Sequence, residues 1–371
     1  MRRNRSFLIV LSALLVILLS SSYSIAAGTR QKTGRNLDFS FLPYVSYTPE
    51  TKFAGGVGGI YTFRFPGSEP ESRPSSITLA TKYTQEKQYE LRLVPDILLR
   101  DGKYQLRVDF LYRKFPRKFY GVGNDTLESM EEPYTLRRGA IFASLQKRIG
   151  EAVNLGILYE FEKAKLVETD GSLDEIGILG AKKGKGSGLG FMGNLDNRNR
   201  LFSPTWGGLC QVLLMFYRDF LGSEYGYTRY SLDLRQFVTF GRINTLGIRG
   251  FGDFITGDPP FYKMPLLGGE NMIRGYYMRA YYLGRYRDRK LIALQAEYRI
   301  MPVWWRVGVV GFLEYGSVSS TFADFKLRDF KPSTGFGLRY QFNRGEGINL
   351  RADLAFGEGT RGLHLTIFEA F

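Results

Sequence analysis

From Lys103 to Tyr112 the chain alternates. Lys103, Gln105, Arg107 and Asp109 occupy one parity, while Tyr104, Leu106, Val108, Phe110 and Tyr112 occupy the other. The pattern returns near the far end, where Gly335, Gly337, Arg339 and Gln341 oppose Phe336, Leu338, Tyr340 and Phe342. Asn349, Arg351 and Asp353 then oppose Ile348, Leu350, Ala352, Leu354 and Phe356. Successive side chains of a strand point to opposite faces, so each segment has one apolar and one polar face. A soluble sandwich also alternates. What separates this chain from one is the polar parity, which carries Arg, Asp, Glu and Gln in segment after segment, many of them about ten residues long, with Tyr and Phe at the ends of the apolar parity. That is the pattern of a transmembrane β-barrel, apolar toward lipid, polar toward the lumen and girdled by aromatic residues.

Sixteen such segments can be counted, near 38–47, 53–64, 76–85, 88–97, 103–115, 134–149, 152–165, 186–194, 207–218, 225–240, 243–255, 290–301, 303–318, 334–343, 347–357 and 362–371. The even number suits a closed antiparallel barrel with both termini on one side. Composition agrees: 44 Gly and 56 aromatic residues (24 Tyr, 29 Phe, 3 Trp) in 371. A mean hydropathy of −0.19 excludes a bundle of membrane-spanning helices. One Cys cannot form an internal disulfide or a zinc cluster, and one His leaves little for a catalytic or metal centre. No cofactor, metal or catalytic residue is expected.

The longest apolar run, Phe7 to Leu19, follows Arg2, Arg3 and Arg5 and precedes Ser24-Ile25-Ala26-Ala27. Thirteen residues are too few for a spanning helix, which needs roughly 20, and suit a signal-peptide core of about 7 to 15. The segment reads as a secretory signal over residues 1–26, cleaved after Ala26, with an uncleaved anchor as the alternative. Residues 27–37 are then a short periplasmic tail and residues 38–371 the barrel. The mature length is 371 − 26 = 345 residues, which fills sixteen strands with their connections, and the mature charge is 48 − 36 = +12.

Two connections are long. Residues 166–185, ending in Lys182-Lys183-Gly184-Lys185, read as a solvated loop. Residues 256–289, between the eleventh and twelfth strands, carry Tyr276, Tyr277, Tyr281 and Tyr282, too aromatic for disorder, and the place to bury them is the lumen. Other signals carry no chemistry. Gly55-Gly56-Val57-Gly58-Gly59 lies inside a strand with no helix after it, so it is not a dinucleotide fingerprint and reads as wall curvature or close backbone approach. Gly184-Lys185-Gly186-Ser187 lacks the Ser or Thr directly after Lys that a phosphate loop requires. His364 falls on the inward parity of the last strand with Thr366 for company and reads as a plain lumenal histidine; Cys210 reads as a buried or lumenal thiol. Arg113-Lys114 with Arg117-Lys118, and Arg285 to Lys290, are basic clusters that fit anionic headgroups or solvated strand ends better than nucleic acid.

Leu266-Leu267-Gly268-Gly269-Glu270-Asn271-Met272-Ile273-Arg274-Gly275-Tyr276 resembles the loop-six signature of the outer-membrane assembly-factor superfamily, the BamA/TamA-like bacterial surface antigens. There an aliphatic-Arg-Gly-aromatic tetrad tips a loop folded into the barrel. Leu42 to Thr51, Phe119 to Thr126, Leu195-Asp196-Asn197-Arg198-Asn199 with Pro204-Thr205 and Gly207, and Phe371 match that family in order and spacing. The resemblance covers nearly the whole mature chain and implies a bacterial outer-membrane location. It departs from the family in one respect: the length leaves no room for the periplasmic POTRA domains that capture client chains.

By parity Glu297 points inward beside Gln295 and Arg299, and Glu314 sits where the family has an inward acid. The expectation is that Arg274 forms a lumenal ion pair with Glu297, Glu314 or both; a solvated loop arginine is the alternative. Pro43, within the first strand, has no N–H to donate and marks either a weak seam or an ordinary strand start. Leu363, Leu365, Ile367 and Phe371 share one parity, expected to face lipid as the terminal strand, with Glu369 interrupting it. The resemblance implies a lateral gate at the seam admitting nascent strands. Two functions follow: assistance to insertion or translocation of a polypeptide client, with capture supplied by a separately encoded periplasmic partner or by the tail, or a stand-alone channel or structural surface antigen. The expected surroundings are outer-membrane lipid, with no nucleic-acid partner and no enzymatic activity.

Overall fold

A computed structural model describes residues 37–49, 51–68, 74–169, 173, 177–271, 275–343 and 347–371. Twenty strands follow in chain order: β1 (Leu37–Thr48), β2 (Lys52–Phe63), β3 (Ser75–Thr84), β4 (Tyr89–Leu99), β5 (Tyr104–Phe119), β6 (Glu132–Ile149), β7 (Val153–Thr169), β8 (Lys183–Asp196), β9 (Gly207–Tyr217), β10 (Tyr227–Phe240), β11 (Asn244–Gly257), β12 (Leu266–Leu267), β13 (Gly269–Asn271), β14 (Gly275–Met278), β15 (Tyr286–Arg287), β16 (Lys290–Trp304), β17 (Val307–Ser319), β18 (Lys331–Asn343), β19 (Ile348–Gly357) and β20 (Thr360–Ile367). Sixteen of them, β1–β11 and β16–β20, close an antiparallel barrel in sequence order; β12 to β15 form two small hairpin sheets within the connection from β11 to β16. The sixteen segments read from alternation each overlap one of these wall strands.

The two faces separate as alternation requires. On β16, Leu294 and Tyr298 are 53% and 45% exposed, whereas Gln295, Glu297 and Arg299 are buried. On β18 and β19, Phe336 and Leu338 face out while Arg339, Arg351 and Asp353 are buried. Charged side chains are hidden here because the barrel encloses them, not because a core excludes water from a sandwich. The lumen is filled by the β11–β16 connection, whose Leu267, Met278, Ala280, Tyr281 and Tyr286 pack with Phe251, Leu291, Val310, Phe312 and Ala355 of the wall.

The structure corrects several sequence readings. The supposed solvated loop 166–185 is strand at both ends, because β7 continues to Thr169 and β8 starts at Lys183, with Lys165 opposite Lys183 in the ladder. Cys210 is not lumenal: its ladder partners are Leu195 and Leu234, both exposed, which puts it on the lipid-facing side. Parity misled there because Leu213, Met215 and Tyr217 on the opposite face are apolar too, being covered by Tyr225 and Tyr227 rather than by water. Within the glycine run of β2, Gly56 leaves the space that the Tyr44 ring occupies as its hydroxyl donates to the Thr81 carbonyl at 3.1 Å.

The last strand also departs from expectation. β20 stops at Ile367, and Phe368 takes a positive φ of 70° that turns the chain inward. Glu369 lies on Arg339 and Asn349 at 2.8 and 2.7 Å, and Phe371 is buried against Phe237 and Arg299. Phe371 is therefore a lumenal residue and not part of the lipid-facing parity. The interrupting Glu369 gives the reason: a carboxylate at that position finds two polar partners inside and none in lipid.

Pro43 is the seventh residue of β1 and so lies inside the strand. Among the described residues the seam between β1 and β20 is in register at Tyr47 opposite Leu365. β10 and β11 are in register over all fourteen residues of each.

Candidate functional site: the lumenal anchor of the long loop

The connection between β11 and β16 enters the barrel as two stacked hairpins. Leu266 and Leu267 of β12 pair with Arg287 and Tyr286 of β15, and β13 pairs with β14 through Gly269–Met278, Glu270–Tyr276 and Asn271–Gly275. Gly268 joins them at φ 103°, a conformation a side chain resists, and a Cβ there would stand 2.2 Å from the Tyr282 carbonyl oxygen. Gly269 follows at φ 62°, and its N–H donates to the Tyr281 carbonyl at 2.8 Å.

Directly after β14 comes Arg279, whose side chain is fully buried among three carboxylates from three strands. Its Nε meets Glu314 of β17 at 2.7 Å, and its Nη1 meets Glu297 of β16 at 2.7 Å and Asp353 of β19 at 2.9 Å. Its backbone N–H donates to the second Glu314 oxygen at 2.7 Å. The guanidinium carbon lies 3.4 Å from the centre of the Phe312 ring. On the far side His364 Nε2 donates to the Arg279 carbonyl at 2.8 Å. Gly362 makes that approach feasible, since a Cβ there would be 2.1 Å from the same oxygen.

A second layer holds the acids. Gln295 and Ser333 donate to Glu314 at 2.9 and 2.8 Å, Arg299 pairs with Glu297 at 2.7 Å, and Arg339 bridges Asp353 and Glu369. Arg351 approaches Asp353 at 3.5 Å. Among the described residues four carboxylates (Glu297, Glu314, Asp353, Glu369) thus meet four guanidinium groups (Arg279, Arg299, Arg339, Arg351), so the charges of these eight side chains balance. Neutrality matters because an isolated buried charge is far costlier than a paired, hydrogen-bonded one. Burial by itself would lower the Arg279 pKa; Glu314, Glu297 and Asp353 outweigh that and drive it upward, so the loop presents a permanent cation. A planar five-donor fork suits the task of joining three strands through one residue.

A second anchor stands on other strands. Lys263, earlier in the same connection, binds Glu160 at 2.7 Å and Glu162 at 3.0 Å, both on β7, where Arg138 of β6 also meets them. Next to it Phe261 is buried against Phe119 and Tyr134, and Arg287 stacks over Phe119, 4.8 Å from the ring centre. Arg285 reaches the β5–β6 connection, donating to the Thr126 carbonyl at 2.8 Å. The long loop is therefore bolted to the β16–β19 wall by Arg279 and to the β6–β7 wall by Lys263.

Of the residues singled out in the sequence, Glu297 and Glu314 are brought together on one cation, and that cation is Arg279. Ile273 and Arg274 lie outside the described residues; Gly275 and Tyr276 contribute backbone to β14. His364, read as isolated, stands opposite Asp353 in the ladder as well as touching Arg279. Arg279, Asp353 and Lys263 were not anticipated. A signal for Arg279 was present: Ile273-Arg274-Gly275-Tyr276-Tyr277 is followed at once by Met278-Arg279-Ala280-Tyr281-Tyr282, an aliphatic-Arg-small-Tyr-Tyr unit repeated at five residues.

At the sequence level no curated protein matches this chain. Solved structures do resemble its fold. BamA from Haemophilus ducreyi lacking POTRA domains 1–3 superposes with a TM-score of 0.64 at 14% identity, covering 91% of this chain and 71% of that one. CdiB from Acinetobacter baumannii gives 0.59 at 12% identity, covering 91% and 60%, and CdiB from Escherichia coli 0.56 at 9%, covering 92% and 66%. The chain thus spans 60% to 71% of the length of these three. At such identities the likeness speaks to the barrel fold, which is that of the bacterial outer membrane. The Omp85 superfamily domain model matches residues 73–370, four-fifths of the sequence and the whole of the lumenal anchor, and the chain belongs to the Omp85 superfamily.

Proposed function

We propose that this barrel assists the insertion or translocation of other polypeptides at the outer membrane, with the β1–β20 seam as the place of entry and the anchored loop as the element that sets lumen and seam geometry. The observation that carries the proposal is the end of β20 at Ile367, where Phe368 takes a positive φ and the chain turns inward, so that β20 does not run on along β1. A strand edge whose neighbour ends early is a template for another chain. The inward turn at Phe368 removes residues that would otherwise extend β20 along it, and Pro43, within β1, has no N–H to donate. Residues 1–26 serve as the export signal and residues 27–37 as a periplasmic tail. A separately encoded periplasmic partner supplies client capture.

A lock across the seam tests this directly. With Cys210→Ser removing the native thiol, Tyr47→Cys and Leu365→Cys stand opposite one another and can be oxidised. Cells depleted of the native protein and supplied with the locked barrel should lose outer-membrane barrels or exported proteins, and reduction should restore them. Unchanged levels in the locked and depleted cells defeat the assembly reading. The alternative, a stand-alone channel or structural surface antigen, then stands. Planar-bilayer conductance tests its channel form, against which the side chains filling the lumen weigh.

A further inference from the structure

On the outer surface of β5–β8 the ladder aligns cations that the sequence scatters over seventy residues. Lys114 is opposite Arg137, Arg137 opposite Lys165 and Lys165 opposite Lys183, one basic residue on each of four adjacent strands at the same level. One step nearer the barrel middle, Lys163 is opposite Lys185. Arg137, Lys163, Lys165 and Lys183 are exposed. All six share the parity of the lipid-facing Phe110, Tyr112, Ile157 and Tyr159. Like charges directly opposed across a ladder destabilise it, and here the arrangement repeats across three consecutive strand pairs.

The inner face of the same strands shows how this protein treats a cation it must satisfy itself. Arg138, the neighbour of Arg137 but pointing inward, is held by Glu160 and Glu162. Outside, the carboxylate contacts of these six, among the described residues, are two: Glu168, 2.6 Å from Lys114, and Glu224, which accepts the Lys185 backbone N–H at 3.2 Å. Among the described residues these six cations outnumber the carboxylates touching them by 6 − 2 = 4. A counter-anion from the surroundings fits this surface, and depth identifies the surroundings.

Arg137 and Lys147 lie on the same outward parity of β6, ten residues apart, with Gly139, Ile141, Ala143 and Leu145 between them. Ten residues of strand are roughly 34 Å long, or about 25 Å along the membrane normal at a tilt of roughly 40°. That is the height of the apolar band of an outer-membrane barrel, so the two cations bracket it and the Arg137 row stands at headgroup level. Tyr89 lies in register with Lys114, and Tyr112 lies one step below, as an aromatic girdle should. β5, β6 and β7, with 16, 18 and 17 residues, are longer than the roughly 9–11 needed to cross, which lifts this row above the hydrocarbon. The row is at the end of the barrel opposite the start of β1 and the end of β20. That end carries the long connections, and in such barrels it faces outward.

We propose that this ridge is a binding surface for the phosphate groups of a multiply phosphorylated glycolipid of the outer leaflet. Four cations on adjacent strands, roughly 4.8 Å apart, span about 14 Å, wide enough to engage more than one phosphate of a single headgroup. Lys163 and Lys185, one step deeper, reach up along their apolar stems. The inference rests on the barrel fold alone and holds whether or not the chain assists assembly.

The test uses the purified full chain in neutral detergent, mixed with phosphatidylcholine vesicles doped with diphosphoryl lipid A, monophosphoryl lipid A or phosphatidylglycerol, and native mass spectrometry to read retained lipid. The wild type should retain diphosphoryl over monophosphoryl lipid A, and either over phosphatidylglycerol. Each basic side chain near an anionic surface contributes about fivefold, so Arg137→Gln with Lys165→Gln and Lys183→Gln should lower retention on the order of 100-fold. Lys147→Gln, at the other end of β6, should leave it unchanged. Heat-modified gel mobility shows that each variant is folded, and a triple variant that fails this check is replaced by the single Lys183→Gln with an expected fivefold loss. Equal retention by triple variant and wild type overturns the proposal. So does indifference to phosphate number, or full displacement by inorganic phosphate at matching concentration. Binding of polyglutamate that the same triple variant abolishes, without lipid preference, assigns the ridge to an acidic protein partner instead.

Discussion

Arg279→Met is the most informative single change. It keeps an apolar stem that reaches to about the position of Nε but removes the cation from a site where Glu297, Glu314 and Asp353 are all buried. Three charge-assisted hydrogen bonds at roughly 1.5–3 kcal/mol each would give about 4.5–9 kcal/mol if nothing compensated. Compensation is available: Arg299 remains on Glu297, Arg339 and Arg351 on Asp353, and Gln295 with Ser333 on Glu314. The net therefore falls to the cost of breaking a buried pair from one side, about 3–5 kcal/mol. This is charged to docking of the loop and not to the wall, whose ladders do not include Arg279. At about 1.4 kcal/mol per factor of ten, opening of the loop should increase roughly 100- to 4,000-fold. Hydrogen exchange by mass spectrometry over peptides containing Met278 to Tyr282 reads this opening, with peptides of β10 and β11 as internal controls. Arg274→Met is the necessary companion. If Arg279→Met leaves exchange within tenfold of the wild type while Arg274→Met accelerates it, the tetrad arginine is the anchor in the membrane and the assignment to Arg279 is wrong.

Other consequences follow from the same geometry. Gly362→Ala places a methyl group 2.1 Å from the Arg279 carbonyl and should destabilise loop docking by about 1–3 kcal/mol. Gly311→Ala, with open space around it, should be silent in the same exchange assay. Lys263→Met leaves Glu160 and Glu162 to Arg138 and should accelerate exchange around Phe261 while sparing Met278 to Tyr282; acceleration at both would mean that the two anchors act as one unit. Phe371→Ala removes the ring packed on Phe237 and Arg299 and should free the segment after Ile367 without lowering the temperature at which the barrel loses its compact gel mobility; a fall of many degrees would make the inward turn a structural keystone.

Much of the fold was legible because alternation with a period of two is a local property. The face on which Gln295, Glu297 and Arg299 lie follows from their spacing alone, whatever the rest of the chain does. Legibility ended where both faces are apolar, as on β9, where Cys210 faces lipid, and where a strand outruns the bilayer, as at Lys183. In both places the identity of the neighbouring strand decides, and composition is silent about it.

The sequence by itself determined a sixteen-stranded, export-sized barrel with inward acids and a long aromatic connection, because hydrophobic alternation, strand length and connection length are written in consecutive residues. Only the tertiary structure decided which cation meets those acids. The sequence reading put Arg274 there; Arg274 lies outside the described residues, and Arg279, in a near-identical unit five residues on, meets Glu297, Glu314 and Asp353. The path of the loop, the turn at Gly268 and the close approach at Gly362 bring Arg279 to the acids. The same holds for Phe371, turned inward by Glu369, and for the ridge on β5–β8. Lys114, Arg137, Lys165 and Lys183 become neighbours only through the register of four strands, a long-range hydrogen-bonding choice that no local pattern contains.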